Sequence, residues 1–132
     1  MKESTNNFFD KSEILFTENF YKFSDRKKIV VFVPYESVDN LIEEMSNAGA
    51  GLIGNYKMCS FRTNGTGTFK PNSKAKPFSG KKNELSYEEE YKVEMECVTE
   101  KLNNVIDALL KNHPYDEAVY EIYDFKKREK KI

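Results

Sequence analysis

The spacing of apolar and polar positions changes several times along the chain, and each change marks an element. Ile29 to Val33 form an unbroken apolar run, the pattern of a strand buried on both faces, and Pro34 ends its ladder. Val38, Leu41, Ile42, Met45 and Ala48 then recur at helical spacing, with Ser37 in the N-cap position and Gly49 as the stop. NYKMCSFRT, residues 55–63, is a second strand candidate. The NGTGT segment inside residues 64–68 predicts a tight reversal, because glycine tolerates positive φ. Residues 70–80 are rich in Pro, Ser and Lys and read as an exposed loop.

YKVEMEC then alternates. Tyr91, Val93, Met95 and Cys97 point one way and Lys92, Glu94 and Glu96 the other, as in a half-buried strand. Thr99 is placed to cap a second helix whose apolar stripe is Leu102, Val105, Ile106, Leu109 and Leu110. Pro114 bars that helix from continuing and biases His113 towards an extended conformation. EAVYEIYDF is the last strand, and the tail KKREKKI reads as a frayed, solvated basic end.

The order is β-α-β-β-α-β. Right-handed crossovers put both helices on one face, so the expected fold is α+β, a ferredoxin-like βαββαβ sandwich with a four-stranded antiparallel sheet. Three regions follow: residues 1–27 as an N-terminal extension, 28–125 as the domain, and 126–132 as the basic tail. The extension contains NNFFDKSEILFTENFYKF, rich in Phe but without a clean period, and fits a docked arm, a helix or partial disorder. The sheet face without helices leaves apolar and aromatic residues in need of cover, which points to self-association.

Composition narrows the function classes. A chain of 132 residues is one domain with a modest core. Its net charge of -1 argues against nucleic acid as an obligate partner, since phosphate binding needs a basic excess. No apolar run approaches the roughly 20 residues of a membrane span. The first twelve residues are polar and lack the apolar core of a signal peptide, so a cytoplasmic location is expected. The two cysteines fit reduced thiols better than a disulfide scaffold, and the single histidine restricts metal chemistry.

Three segments carry candidate chemistry. The first, residues 49–69, holds five of the six glycines. They serve either tight turns or the close approach of an anion or a neighbouring chain, and the segment lacks both the P-loop and the Rossmann spacing. Cys59 lies on a predicted strand with no base beside it in sequence, so an enzyme acting through this thiol is the weakest reading. The second segment, HPYDE, joins His113 to Asp116 and Glu117; it is either a helix stop with a turn or a ligand or divalent-metal site. The third, YEEEYK at residues 87–92, reads as a solvated acidic face.

AGAGLIGNYKMCSF, GTGTFKP, KPFSG and HPYDEAVYEIYDF occur in that order. Together they resemble the domain inserted in NIF-three-like proteins of the YqfO type, which is similar to the trimeric PII and CutA proteins. The resemblance covers about residues 28–125. It maps the family's glycine-rich turn onto Gly49, Gly51, Gly54, Asn55 and Tyr56, and its Cys-Ser-Phe onto Cys59, Ser60 and Phe61. Gly65, Gly67, Thr68 and Phe69 match its Gly-x-Gly-Thr-Phe, and His113, Pro114 and Tyr115 its His-Pro-Tyr. Asp116 stands where the family usually has Glu, Ala118 where it has Pro, and Lys92 where Arg is frequent. The multi-histidine two-metal site of full-length members lies outside the matched segment, so hydrolase activity does not carry over. The resemblance implies a non-catalytic binding or regulatory module, a homotrimer with a small-molecule site at subunit clefts. Gly51, Gly54, Asn55, Tyr56, Cys59, Gly65, Gly67, His113 and Tyr115 are its candidate ligand residues, and Cys59, Tyr56 and His113 are expected to approach one another there. The alternative is a CutA-like divalent-metal protein using His113, Asp116 and Glu117.

Overall fold

The structure, a computed structural model, describes residues 21–130. Residues Arg26–Asp124 form one compact unit. Of the expected N-terminal extension, residues 1–20 lie outside the described residues. Strands β1 (Tyr21–Pro34), β2 (Phe61–Phe69), β3 (Ser86–Val98) and β4 (Tyr120–Lys130) form one sheet in the order β2-β3-β1-β4, with helices α1 (Val38–Asn47) and α2 (Leu102–Asn112) in the crossovers. Strand β3 pairs antiparallel with both β1 and β2. This is the expected ferredoxin-like sandwich. Among the described residues no helix is long and apolar enough to cross a membrane.

The register explains the core. Ile29 pairs with Met95, Val31 with Val93 and Val33 with Tyr91, so one face of the two central strands is apolar over this stretch. That face packs on Leu41, Ile42 and Met45 of α1 and Val105 and Leu109 of α2 in a single cluster with Cys97. Fully burying each such side chain stabilises by about 1.5–3 kcal/mol. Helix α1 ends in a Schellman motif: Gly49, at φ +125, donates its N–H to the Ser46 carbonyl, and Ala50 donates to Met45. Met45 and Ala50 are both buried, supplying the apolar contact that accompanies this cap.

Several sequence expectations are corrected. No reversal occurs at NGTGT. Strand β2 runs straight through it, with Gly65 opposite Glu90 and Gly67 opposite Glu88. The reversal comes earlier, where Ile53 and Tyr56 exchange both backbone hydrogen bonds around Gly54, at φ +57. The strand expected over residues 55–63 therefore starts only at Phe61. Strand β1 starts at Tyr21, well before the apolar run, and β4 continues to Lys130 through most of the tail expected to fray. Ser37 is the α1 N-cap but makes no side-chain cap bond, and Lys101 rather than Thr99 occupies the N-cap of α2. A 3-10 turn precedes each helix, Tyr35–Ser37 and Thr99–Lys101, and supplies the first turn that a side-chain cap would otherwise satisfy. Leu110, counted in the α2 stripe, is half exposed.

Candidate functional site

The helix-free face of β3 carries Glu88, Glu90, Lys92, Glu94 and Glu96, the positions alternating with the core residues. This strip of β3 is charged, as its alternation predicts, while Phe32 of β1 and Phe61 of β2 pair with Lys92 and Glu94 on the same face. At one end of it the loop between β2 and β3 folds into a wall. The loop is anchored by three hydrogen bonds: the Lys76 N–H to Asp116 Oδ2 at 3.0 Å, the Ser79 hydroxyl to Glu88, and the Asn83 N–H to the Pro71 carbonyl. Pro71 is buried and Ala75, Pro77 and Ser79 are half-buried, so this Pro-, Ser- and Lys-rich segment is a structured wall and not a freely exposed loop.

Behind that wall is a cavity of about 300 Å³. Phe32 of β1, Gly67 and Phe69 of β2, Glu90 of β3, Phe78 of the loop, and Tyr115 line it. The rims add Lys70, Asp116 and Glu117. Tyr115 and Glu90 form its polar hinge, the phenol donating to Glu90 Oε2 at 2.6 Å. Burial above all, then this bond and the charge of Glu90, push the Tyr115 hydroxyl far above the ordinary tyrosine range, so it remains a donor. Gly67 makes room for the carboxylate. A Cβ there would stand 2.2 Å from Glu90 Oε1, so a side chain at this position displaces Glu90.

His113 anchors the turn that carries Tyr115. It is buried, at 8% exposure, although Pro114 leaves it at a helix end. Its Nε2 lies 2.7 Å from the Phe32 carbonyl oxygen, which accepts only, so Nε2 carries the proton. Its Nδ1 accepts the Tyr115 backbone N–H at 3.1 Å, and the two rings pack at 4.8 Å. Both ring nitrogens are thus committed within the chain, and the imidazole is held as the neutral Nε2–H tautomer. Burial draws its pKa below the ordinary histidine value, opposed by the bond to Phe32 and by the charge of Glu90.

The candidate residues separate into two places. Gly67 and Tyr115 line the cavity, and His113 supports it. Cys59 lies instead in a second hollow, of about 380 Å³, beside Lys28, Ile53, Phe61 and Glu94. Gly51 and Gly54 serve the backbone there. Gly51, at φ +78, donates to the Glu96 carbonyl and accepts the Cys59 N–H, and a Cβ on it would stand 2.9 Å from the Cys59 nitrogen. Asn55 and Tyr56 sit on the exposed reversal, Tyr56 at 75% exposure, and Gly65 faces open space. Within one chain, then, Cys59 and Tyr56 belong to one place and His113 to another.

The expected metal set of His113, Asp116 and Glu117 does not converge. Among the described residues no group of three or more His, Cys, Asp and Glu is arranged to hold a metal. Phe32, Phe69, Phe78 and Glu90 line the cavity but were not among the candidate ligand residues, although Phe69 and Phe78 stand in the GTGTFKP and KPFSG segments. For Glu90 the signal was the two-residue period, which puts it on the face opposite Tyr91 and Val93.

No protein-family model matches the chain. It is 44% identical over 107 residues to the GTP cyclohydrolase 1 type 2 homolog of Halalkalibacterium halodurans, an alignment covering 81% of this chain and 27% of that protein. The solved structure of a Bacillus cereus protein related to NIF3 superposes with a TM-score of 0.67 at 35% identity, over 79% of this chain and 26% of the other. The chain therefore spans about a quarter of the length of these relatives. The divalent cation tolerance protein CutA of Archaeoglobus fulgidus superposes with a TM-score of 0.53 at 12% identity, over 74% of this chain and 81% of CutA, a likeness of fold alone.

Proposed function

The chain carries the PII/CutA-like domain of NIF3-related proteins, and from that premise we propose that it is a non-catalytic binding or regulatory module whose small-molecule site is the cavity at Tyr115 and Glu90. The observation that carries this reading is the construction of the cavity. Three segments distant in sequence are tied together around it: the loop by Asp116, the Tyr115 turn by His113, and Glu90 by Tyr115 over a glycine. Ligand pockets commonly combine apolar walls with a few convergent polar groups, and span roughly 300–1,000 Å³. This one sits at the small end of that range.

The homotrimer belongs to the same reading. Phe61, Leu85 and Tyr87 leave more than half of their surface exposed on or next to β2 and β3, and a second copy would cover them. A metal-binding role is not favoured, because His113 has no ring nitrogen left to give.

The test uses the neutral fluorophore N-phenyl-1-naphthylamine with the full chain, the mass of each sample being read by light scattering. Wild type should show saturable enhancement. Ala75→Trp, which fills the cavity, should abolish it while leaving the circular dichroism spectrum unchanged. No enhancement in wild type, or equal enhancement in the variant, overturns this site, and a monomeric mass overturns the trimer.

A further inference from the structure

The lining of the cavity is chemically one-sided. Four aromatic side chains, Phe32, Phe69, Phe78 and Tyr115, line it, with the Phe78 and Tyr115 rings 6.0 Å apart. Its ionisable groups are three carboxylates, Glu90, Asp116 and Glu117, against the single ammonium of Lys70 and the Tyr115 phenol. We infer that the cavity takes an organic cation with an alkylated ammonium head, a deepening that rests on the cavity being the ligand site. Aromatic faces attract cations through the ring quadrupole, and more strongly where water is excluded. Carboxylates at the rim add long-range attraction for the same sign of charge and repel an anion.

The aromatic lining favours an alkylated head over a primary amine. A primary ammonium brings three N–H donors that need acceptors at close range. Here Glu90 Oε2 already accepts the Tyr115 hydroxyl and Asp116 Oδ2 the Lys76 N–H, so these donors would compete for the other carboxylate oxygens along a mostly aromatic wall. A quaternary head has charge but no donors, so it draws on the rings and on the nearby negative charge and needs no acceptor. Gly67 contributes by letting the Glu90 carboxylate lie against β2 at the cavity wall.

Three probes of one shape and different charge test this by NMR on the uniformly labelled full chain: choline, its uncharged isostere 3,3-dimethylbutan-1-ol, and the anion 3,3-dimethylbutanoate. Choline should shift the amide signals of Gly67, Phe78 and Tyr115, with an affinity about tenfold above that of the alcohol. The carboxylate should shift none of them. Phe78→Leu keeps an apolar wall but removes a quadrupole, and should weaken choline several-fold more than it weakens the alcohol. Because Phe78 is 47% exposed, this variant keeps the fold. Equal binding of choline and alcohol, or tighter binding of the carboxylate, overturns the cation assignment. So does the absence of choline shifts in a protein that binds the neutral naphthylamine, an outcome that leaves the cavity itself as the ligand site. Shifts at these amides on simple dilution of the protein would place a second copy of the chain in the cavity, and the proposal would fall.

Discussion

On the helix side of the sheet Val31, Val33, Val93 and Met95 lie in one apolar cluster with Leu41, Met45 and Leu109, while on the other side Glu90 is held by Tyr115 and Tyr115 by its neighbour His113. The two faces use the same alternating strands to different ends. The first depends on area removed from water, which is non-directional and tolerates small rearrangements. The second depends on a few directional bonds in a half-buried place, each of which fails if one partner moves by an ångström. Stability is therefore expected to reside mainly on the helix side and binding on the other, and substitutions should separate the two.

The largest effect should come from the helix side. Leu109 is fully buried, and Leu109→Ala removes apolar contact and leaves a cavity in a core that cannot collapse fully. Chemical denaturation should show a loss of about 3 kcal/mol. Naphthylamine binding, measured well below the unfolding midpoint, should be retained. If this variant loses binding in step with stability, the two faces are one cooperative unit and the contrast is wrong.

The contrast also accounts for what the sequence discloses. Apolar spacing predicts the core because burial follows a local period, two along β3 and 3.6 along α1, and Val93, Met95, Leu41 and Met45 are found where the pattern puts them. The glycines mislead because one residue type answers different needs. Gly49 caps a helix and Gly54 turns the chain, as local reasoning expects, but Gly67 sits in mid-strand to admit a carboxylate from the adjacent strand. That need arises only from the pairing of β2 with β3, a relation absent from any short window of sequence. His113 was legible as an unusual residue at a helix end, but its commitment to Phe32, 81 residues earlier, was not.

Gly67 and Gly65 sharpen the comparison within a single strand, with a smaller expected effect. A Cβ on Gly65 meets nothing within 4 Å, and Gly65→Ala should change stability by no more than about 0.5 kcal/mol. Gly67→Ala must push Glu90 away from β2 and so loosens its bond with the Tyr115 hydroxyl. The carboxylate is the far end of a flexible side chain, so the cost should be modest, about 1 kcal/mol for one lost hydrogen bond. Denaturation curves for the pair measure the difference, and equal costs would mean that the Glu90–Tyr115 bond contributes nothing.

The smallest effect is the pH dependence carried by His113. Burial lowers its folded-state pKa below the unfolded value, so the unfolded chain takes up a proton first as pH falls. Stability from this group is then fully present above the unfolded pKa of about 6.5, declines as pH drops through that value, and levels off below the lowered folded pKa. Protonation would also put a hydrogen on Nδ1, facing the Tyr115 N–H that it now accepts, and so would cost that bond. The bond to Phe32 and then the charge of Glu90 act in the opposite direction and limit the effect. Melting temperatures between pH 7.5 and 5.5 should fall for wild type and fall less for His113→Gln, which cannot titrate there. A variant with the same slope as wild type would assign the acid sensitivity to other groups. A wild-type slope of the opposite sign would mean that His113 is charged in the folded protein, and its nitrogens would then no longer be committed as a neutral support for Tyr115.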